Sequence, residues 1–333
     1  MKRSNKNRSL AAAGVVVGML GVTVGLMRDN PVEQSVPAAV AKEVAIVGEL
    51  HYERIDNRTV VRDSAGTVAA TLTDNARSVN VIGPSRTFAE EPNTDAQVTS
   101  RTWVRLLPQP WAPGAETQPW FRPWLDQQLH NTDPDVLAVA TEYLPGRPDA
   151  LDPNGIRIGG DAGYGPPGPG GDPTSNSDFY DYLGTPFTFP DGAQARPEPH
   201  RFADVDSAGF LRLVLGYRMG VPMSNSNDPG AALPRRTDAI AASGPGAAVT
   251  PDQAKPVSDF RNLQPGDLVF FDSDADRRMD HGGTYLGLDD DCHRRFVSSR
   301  STADGPTMGD TGGTSLLDDG GYYARGFRAV KRL

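Results

Sequence analysis

The stretch RFADVDSAGF, Arg201 to Phe210, reads as the approach to a helix with Ser207 in its first turn. A cysteine in such a place, facing the positive end of the helix dipole and an imidazole, can have a pKa of about 3.5–7.5 and wait as thiolate. A serine hydroxyl is far too weak an acid for the same field to ionise. It must lose its proton during attack, to a histidine held in the right tautomer by a third group. Whether Ser207 can do chemistry therefore depends on which histidine faces it and on what holds that histidine.

The elements expected to carry these groups lie in the second half of the chain. Ser207 to Met219 has the clearest helical pattern. Phe210, Leu211, Val214 and Leu215 line one face, Arg212 and Arg218 stand elsewhere, and Gly220-Val221-Pro222 stops it. An earlier helix in SDFYDYLGTPF starts near Asp178 and ends at Leu183-Gly184. Strands are expected at Asp267–Phe271, His281–Leu288, Arg295–Ser299 and Tyr322–Val330, with Leu263-Gln264-Pro265-Gly266 turning the chain into the first. His281 opens its strand after the acidic loop FDSDADRRMD. It reads either as a base or as a plain exposed strand-start histidine.

Upstream, RTVVRDSAGTVAATLTD has β-branched runs on both sides of Asp63-Ser64-Ala65-Gly66, a hairpin signal. With Val79, Val81, Val98, Thr102 and Val104 following, residues 44–108 read as a small β-rich domain without a clustered acid, base or ligand set. His51 there reads as a surface histidine. PQPWAPGAETQPWFRPWL carries Trp111, Trp120 and Trp124 beside prolines. Such clusters stack on sugars or bind peptides in some proteins; the favoured reading is packing of a connecting segment onto a domain. DPDVLAVATEYL, Asp133 to Leu144, reads as a short helix with an aspartate cap. Residues 159–177 are a Gly/Pro/Ser stretch read as a long loop. The expected organisation is 1–41 targeting segment and spacer, 44–108 β-rich domain, 109–177 Trp/Pro/Gly-rich linker region, and 178–333 site-bearing domain.

Composition narrows the classes. The chain has 333 residues, 38% hydrophobic and 23% charged, which suits a globular protein of about two domains. A net charge of −9 argues against nucleic acid or anionic lipid as the main partner. The single cysteine, Cys292, excludes an internal disulfide and a Cys-rich metal site. MKRSNKNRS carries four basic residues and no acid, and Leu10 to Met27 follows with no charge. Basic residues then an apolar run are an export signal. Two readings stay open: a cleaved signal peptide, or an uncleaved membrane anchor with its basic end inside. Either places the body of the protein outside the cytoplasm.

DSAGFLRLVLGYRMG, LQPGDLVFF, DHGGTYLG and RRFVSSR, in that order, resemble the NlpC-type cell-wall peptidases, papain-like hydrolases of peptidoglycan stem peptides. YLGTPF fits the family's opening helix and turn. The resemblance covers Asp178 to the C-terminus and implies an α+β fold, a papain-like NlpC-type domain with a helix packed on an antiparallel sheet. It implies cleavage near a γ-D-glutamyl linkage. The family pattern at the helix start is Asp-Cys-Ser-Gly-Phe; here it is Asp206-Ser207-Ala208-Gly209-Phe210, so Ser207 takes the nucleophile's place. His281 takes the base's place, and Ser298 the third position, where the family has His, Asn or a carboxylate. A serine there brings no charge to stabilise an imidazolium, and a plain strand serine is its bland reading. In Leu183-Gly184-Thr185-Pro186-Phe187, Phe187 replaces a tyrosine that reaches toward the nucleophile. The resemblance thus implies a peptidase-like envelope protein, catalytically degraded, that binds wall peptide. The alternatives are a working hydrolase using Ser207 and His281, and a purely structural envelope protein. On this placement a cysteine substituted at 207 is expected to titrate below about 8.5 under the influence of His281.

Other signals are weaker. Asp272, Asp274 and Asp276 mimic positions 1, 3 and 5 of a calcium loop, but Arg277 stands where glycine is needed and Gly283 where glutamate is needed, so an EF-hand fails. Asp310-Thr311-Gly312 has no second copy, as an aspartic protease would require. Cys292, in LDDDCHRR, reads as a surface thiol in a hairpin loop, and His293 beside it as solvated. No phosphate loop, HExxH motif or internal repeat is present, and no cofactor or metal is expected.

Overall fold

Period-two alternation of β-branched residues builds the first layer of the computed structural model, which describes residues 48–91 and 94–333. The expected export signal lies outside the described residues. β1 (His51–Ile55), β2 (Arg58–Arg62), β3 (Val68–Thr73), β4 (Ser78–Ala89) and β5 (Gln97–Leu106) form an antiparallel meander. The β2–β3 turn falls on Asp63–Gly66, where Gly66 takes φ +81° and the Asp63 carboxylate accepts from the Ala65 and Thr67 amides. Left-handed backbone there is open to glycine without steric cost.

α1 (Phe121–His130) lays Phe121 and Leu125 on this sheet. The Phe121 ring lies 4.7 Å from Trp111, 5.6 Å from Trp120 and 6.2 Å from Trp124. The tryptophans of the proline-rich stretch thus pack a core. α2 (Val136–Thr141) is capped by Asp135, which accepts from Ala138 N at 3.0 Å and also pairs with Arg86 of β4 at 2.6 Å. The ribbon β6 (Ala150–Leu151) and β7 (Arg157–Gly159) leads to α3 (Phe179–Leu183). Asp178 caps α3 in a reciprocal capping box with Asp181, and Gly184 ends it at φ +65°. A second ribbon, β8 (Phe187–Thr188) and β9 (Gln194–Ala195), precedes α4 (Ser207–Leu211), which continues as a π-helical stretch over Arg212–Arg218.

After α5 (Thr237–Ser243), β10 (Ala247–Thr250), β11 (Leu268–Phe271), β12 (His281–Leu288), β13 (Arg294–Arg300), β14 (Gly305–Thr307) and β15 (Phe327–Arg332) form an antiparallel sheet in the order β10-β15-β11-β12-β13-β14. The expected strand Tyr322–Val330 is corrected at its start: Tyr322–Gly326 is a helical turn, α6. Tyr323 is turned inward there, with its ring 5.3 Å from Phe271. One face of the sheet, with Leu268, Phe270, Leu286 and Val297, shares a core with Phe210, Leu211, Val214 and Leu215 of the α4 segment. The other buries Val269, Phe271, Phe296 and Phe327. Each such side chain contributes about 1.5–3 kcal/mol by leaving water. The molecule is therefore mixed α and β with antiparallel sheets.

The two sheets interlock within one compact unit, Ala45–Leu333. The buried Glu90 carboxylate accepts from Thr307 Oγ1, Met308 N and Gly309 N at 2.7–3.1 Å. Arg332 of β15 donates to Thr73 Oγ1 of β3 at 2.7 Å and to Asp267 at 2.7 and 2.8 Å. Asn80 donates to Pro265 O at 2.8 Å. Among the described residues no helix is long and apolar enough to cross a membrane.

Candidate active site

Ser207 starts α4 because Asp206 caps it, accepting from Gly209 N at 2.7 Å. The cap's other oxygen accepts from Asn176 N at 3.0 Å and pairs with Arg235 at 2.8 Å. Arg235 also reaches Asp178 at 3.4 Å, and Asp178 holds the fully buried Arg212 at 3.0 Å. This charge-balanced network fixes the helix start against the Gly/Pro/Ser segment. Gly209 is required at its position, because a Cβ there would collide with the Ser177 carbonyl. Ser207 itself is buried, and its Oγ lies 3.5 Å from Thr237 Oγ1 of α5.

His281 opens β12, as expected, and Ser298 lies on the adjoining β13. His281 Nε2 and Ser298 Oγ are 3.0 Å apart. Gly282 follows the histidine where α4 crosses the sheet; a Cβ there would sit 3.2 Å from both Leu211 Cδ1 and Thr237 Cγ2. The His-Gly pair thus brings the strand close under the helix. The neighbouring Ser299 donates to Val205 O at 2.6 Å, which ties β13 to the segment entering α4. The structure joins His281 to Ser298 by a hydrogen bond and gives Ser207 a different neighbour, Thr237. Among the described residues no hydrogen bond joins Ser207 to His281.

The residue that sequence reasoning passed over is Arg300. It is buried, donates from Nε to Ser298 Oγ at 3.1 Å, and reaches Gly313 O and Ser315 Oγ at 2.6 Å each. Its guanidinium lies 4.3 Å over the Tyr323 ring, which in turn lies 5.2 Å from the imidazole. Arg300 can only donate, so Ser298 Oγ accepts from it and keeps its own proton to give. Ser298 is fully buried, and its oxygen keeps a second lone pair, so the contact with His281 Nε2 suits either imidazole tautomer. Burial of the ring, then the positive charge of Arg300, lowers the His281 pKa to about 3. Burial likewise lowers that of Arg300 to about 10. His281 is therefore neutral at physiological pH, with Nε2 engaged by Ser298.

Tyr164, in the Gly/Pro/Ser segment, also belongs here. Its hydroxyl is pushed up by burial, then by the carboxylate of Asp206 beside Ser207, with smaller effects of Tyr323 and of Asp280 beside His281. The segment is held by Gly163, which pairs with the chain at Ala203 and Val205 just before the α4 cap. Tyr164 thus follows a backbone tie to the segment entering α4, whereas Phe187 packs edge-to-face on Phe179 at 4.8 Å. A lone tyrosine among glycines and prolines carries no pattern that would have singled it out.

The remaining candidates stay apart from this site. His51 and Cys292 are exposed, Cys292 in the β12–β13 turn at φ +64°, and His293 sits 3.4 Å from Asp318. A cavity of about 580 Å³ lies elsewhere, lined by residues including Asp95, Asp289, Asp290, Asp310 and Arg295.

No family model matches the chain, and no curated protein matches it. Among solved structures, an NlpC/P60 family protein from Bacillus cereus ATCC 10987 is similar at 14% identity, over 85% of this chain and 78% of that one, with a TM-score of 0.26. A superposition that loose is not evidence for a shared fold or activity.

Proposed function

We propose that the protein is an exported cell-envelope protein of the papain-like wall-peptidase type whose site is catalytically silent and retained for binding peptidoglycan stem peptides. The family and the ligand class rest on the four ordered motifs and on the basic-then-apolar N-terminus. The silence rests on one observation: the relay from Arg300 through Ser298 to His281. A serine nucleophile needs an unprotonated nitrogen to take its proton and a group to stabilise the imidazolium that forms. Here burial disfavours the imidazolium, the third residue carries no negative charge, and the charge behind it is positive. Each feature opposes the chemistry that Ser207 would require.

The test pairs turnover with binding. Purified full-length protein incubated with muropeptides should release no product, while insoluble peptidoglycan should retain it. Turnover abolished by Ser207→Ala would overturn the silent-site reading and support a working serine hydrolase. Absence of both turnover and wall binding would leave a structural envelope protein.

A further inference from the structure

We propose that the loop between β11 and β12 is a calcium site, built from Asp272, Asp274 and Asp276. Each of the three offers a carboxylate oxygen, and these oxygens lie within 4.8 Å of one another. Three like charges held that close repel unless a cation joins them.

Acidic clusters on loops are common, and the observation that points to a ligand is the state of Asp272. It is 6% exposed, and its Oδ1 has no hydrogen-bond partner. Its other oxygen pairs with Arg328 Nε at 3.6 Å, an ionic contact too long for a hydrogen bond. Buried carboxylates ordinarily collect donors. Asp267, a few residues earlier, shows the ordinary case: it accepts twice from Arg332 and once from Gln264 N. Asp272 has no such set, although it converges on two further carboxylates. A divalent cation supplies the missing partner and removes the repulsion together.

The donor set decides the metal. All three ligands are carboxylate oxygens, which select hard cations, and no imidazole or thiolate joins them. Asp274 and Asp276 use Oδ1 to accept the amides of Asp276 and Arg278 at 3.1 and 2.8 Å, so their other oxygens stay available. Both are exposed, which leaves room for water ligands. A loop-borne site with few fixed ligands and several waters suits the flexible six-to-eight coordination of calcium better than the rigid octahedron of magnesium. The sequence objection that Arg277 replaces a needed glycine loses force, because Arg277 adopts φ +71°. The missing twelfth-position glutamate stays missing, and Arg328 opposes the metal, so the affinity belongs with extracellular modules, Kd about 10⁻⁴ to 10⁻³ M. Arg278 is drawn away by Asp238 at 3.1 Å.

Calorimetric titration of CaCl2 into chelator-treated full-length protein should show one site per chain in that range, and MgCl2 at least about tenfold weaker binding. The variant Asp274→Asn/Asp276→Asn changes two exposed positions and should keep its far-UV spectrum while losing the calcium heat. Calcium should raise the thermal midpoint of the wild type and leave that of the variant unchanged. Asp272→Asn should likewise remove the calcium response. Absence of both heat and midpoint shift at about 10 mM calcium, roughly ten times the weakest Kd expected, would overturn the site. So would a double variant that binds like wild type.

Discussion

Consider a cysteine placed at 207, in a chain whose natural thiol is removed by Cys292→Ser. On sequence grounds that thiol inherits a helix dipole and an imidazole, and should ionise early. The Arg300 relay reverses the expectation. A papain-like pair is a thiolate beside an imidazolium. Lowering His281 from 6.5 to about 3 corresponds to about 5 kcal/mol against the imidazolium. At pH 7 about one molecule in 10⁴ carries it. A thiolate 4 Å away, at an effective dielectric of 20, returns about 4 kcal/mol. Drawing the proton from a thiol of about 8.5 raises the total cost to about 7.5 kcal/mol, so the neutral pair wins by about 3 kcal/mol before the burial of the thiol at 207 is counted, and burial raises a thiol pKa further. The thiol should titrate at or above about 8.5. Alkylation rate against pH measures this directly, with and without His281→Ala. The expected curve rises only above neutrality and is indifferent to His281. A rate plateau already reached below pH 7, abolished by His281→Ala, would refute the silent-site reading.

Three further outcomes follow from the same contacts. Nitrogen-detected NMR should show His281 neutral and untitrated down to about pH 4; because its folded pKa lies below the ordinary 6.5, its contribution to stability should decline as pH falls from about 6.5 toward 3. Asp204 has its pKa raised to about 6, by burial and then by Asp304. The folded state therefore holds the extra proton between about pH 4 and 6, so Asp204→Asn should remove a loss of stability across that window and raise stability at pH 7 by about 1 kcal/mol after solvent screening, read from urea midpoints. Glu90→Ala leaves the Thr307 hydroxyl and the Met308 amide without their acceptor, while Gly309 N keeps Thr307 Oγ1, and should cost about 3 kcal/mol in urea unfolding; a change below about 0.5 kcal/mol would mean the Glu90 contact is not holding the sheets together.

Local rules made much of the scaffold legible. β12 has the span His281–Leu288 expected of it, buried on both faces, and the caps at Asp178 and Asp206 start their helices where side-chain acceptors predict. What stayed hidden depends on contacts distant in sequence. YYARGFRAV reads as one strand until Tyr323 is seen facing Phe271, which turns its first residues into α6. The π-helical stretch at Arg212–Arg218 has no sequence mark; it coincides with a buried arginine reaching Asp178, Ser224 and Leu233. In the site, Ser207, His281 and Ser298 could be named from motif order, and two of them meet. Arg300 looked like the polar end of a strand. Its effect required knowing that its guanidinium turns inward onto Ser298, which no local pattern encodes.

The ties through Glu90, Asn80 and Arg332 also bear on how the first sheet can work. A module on a flexible tether searches a volume, and its benefit to a second site depends on tether length through effective concentration. A module bolted to its neighbour has no search volume. Any ligand that touched both the β1–β5 sheet and the α4–β12 region would meet them at one distance and one angle. It would be selected by the match of its own length to that fixed offset as well as by either contact alone. Lengthening the chain between the sheets would leave the offset in place, because side-chain ties rather than the connection set it.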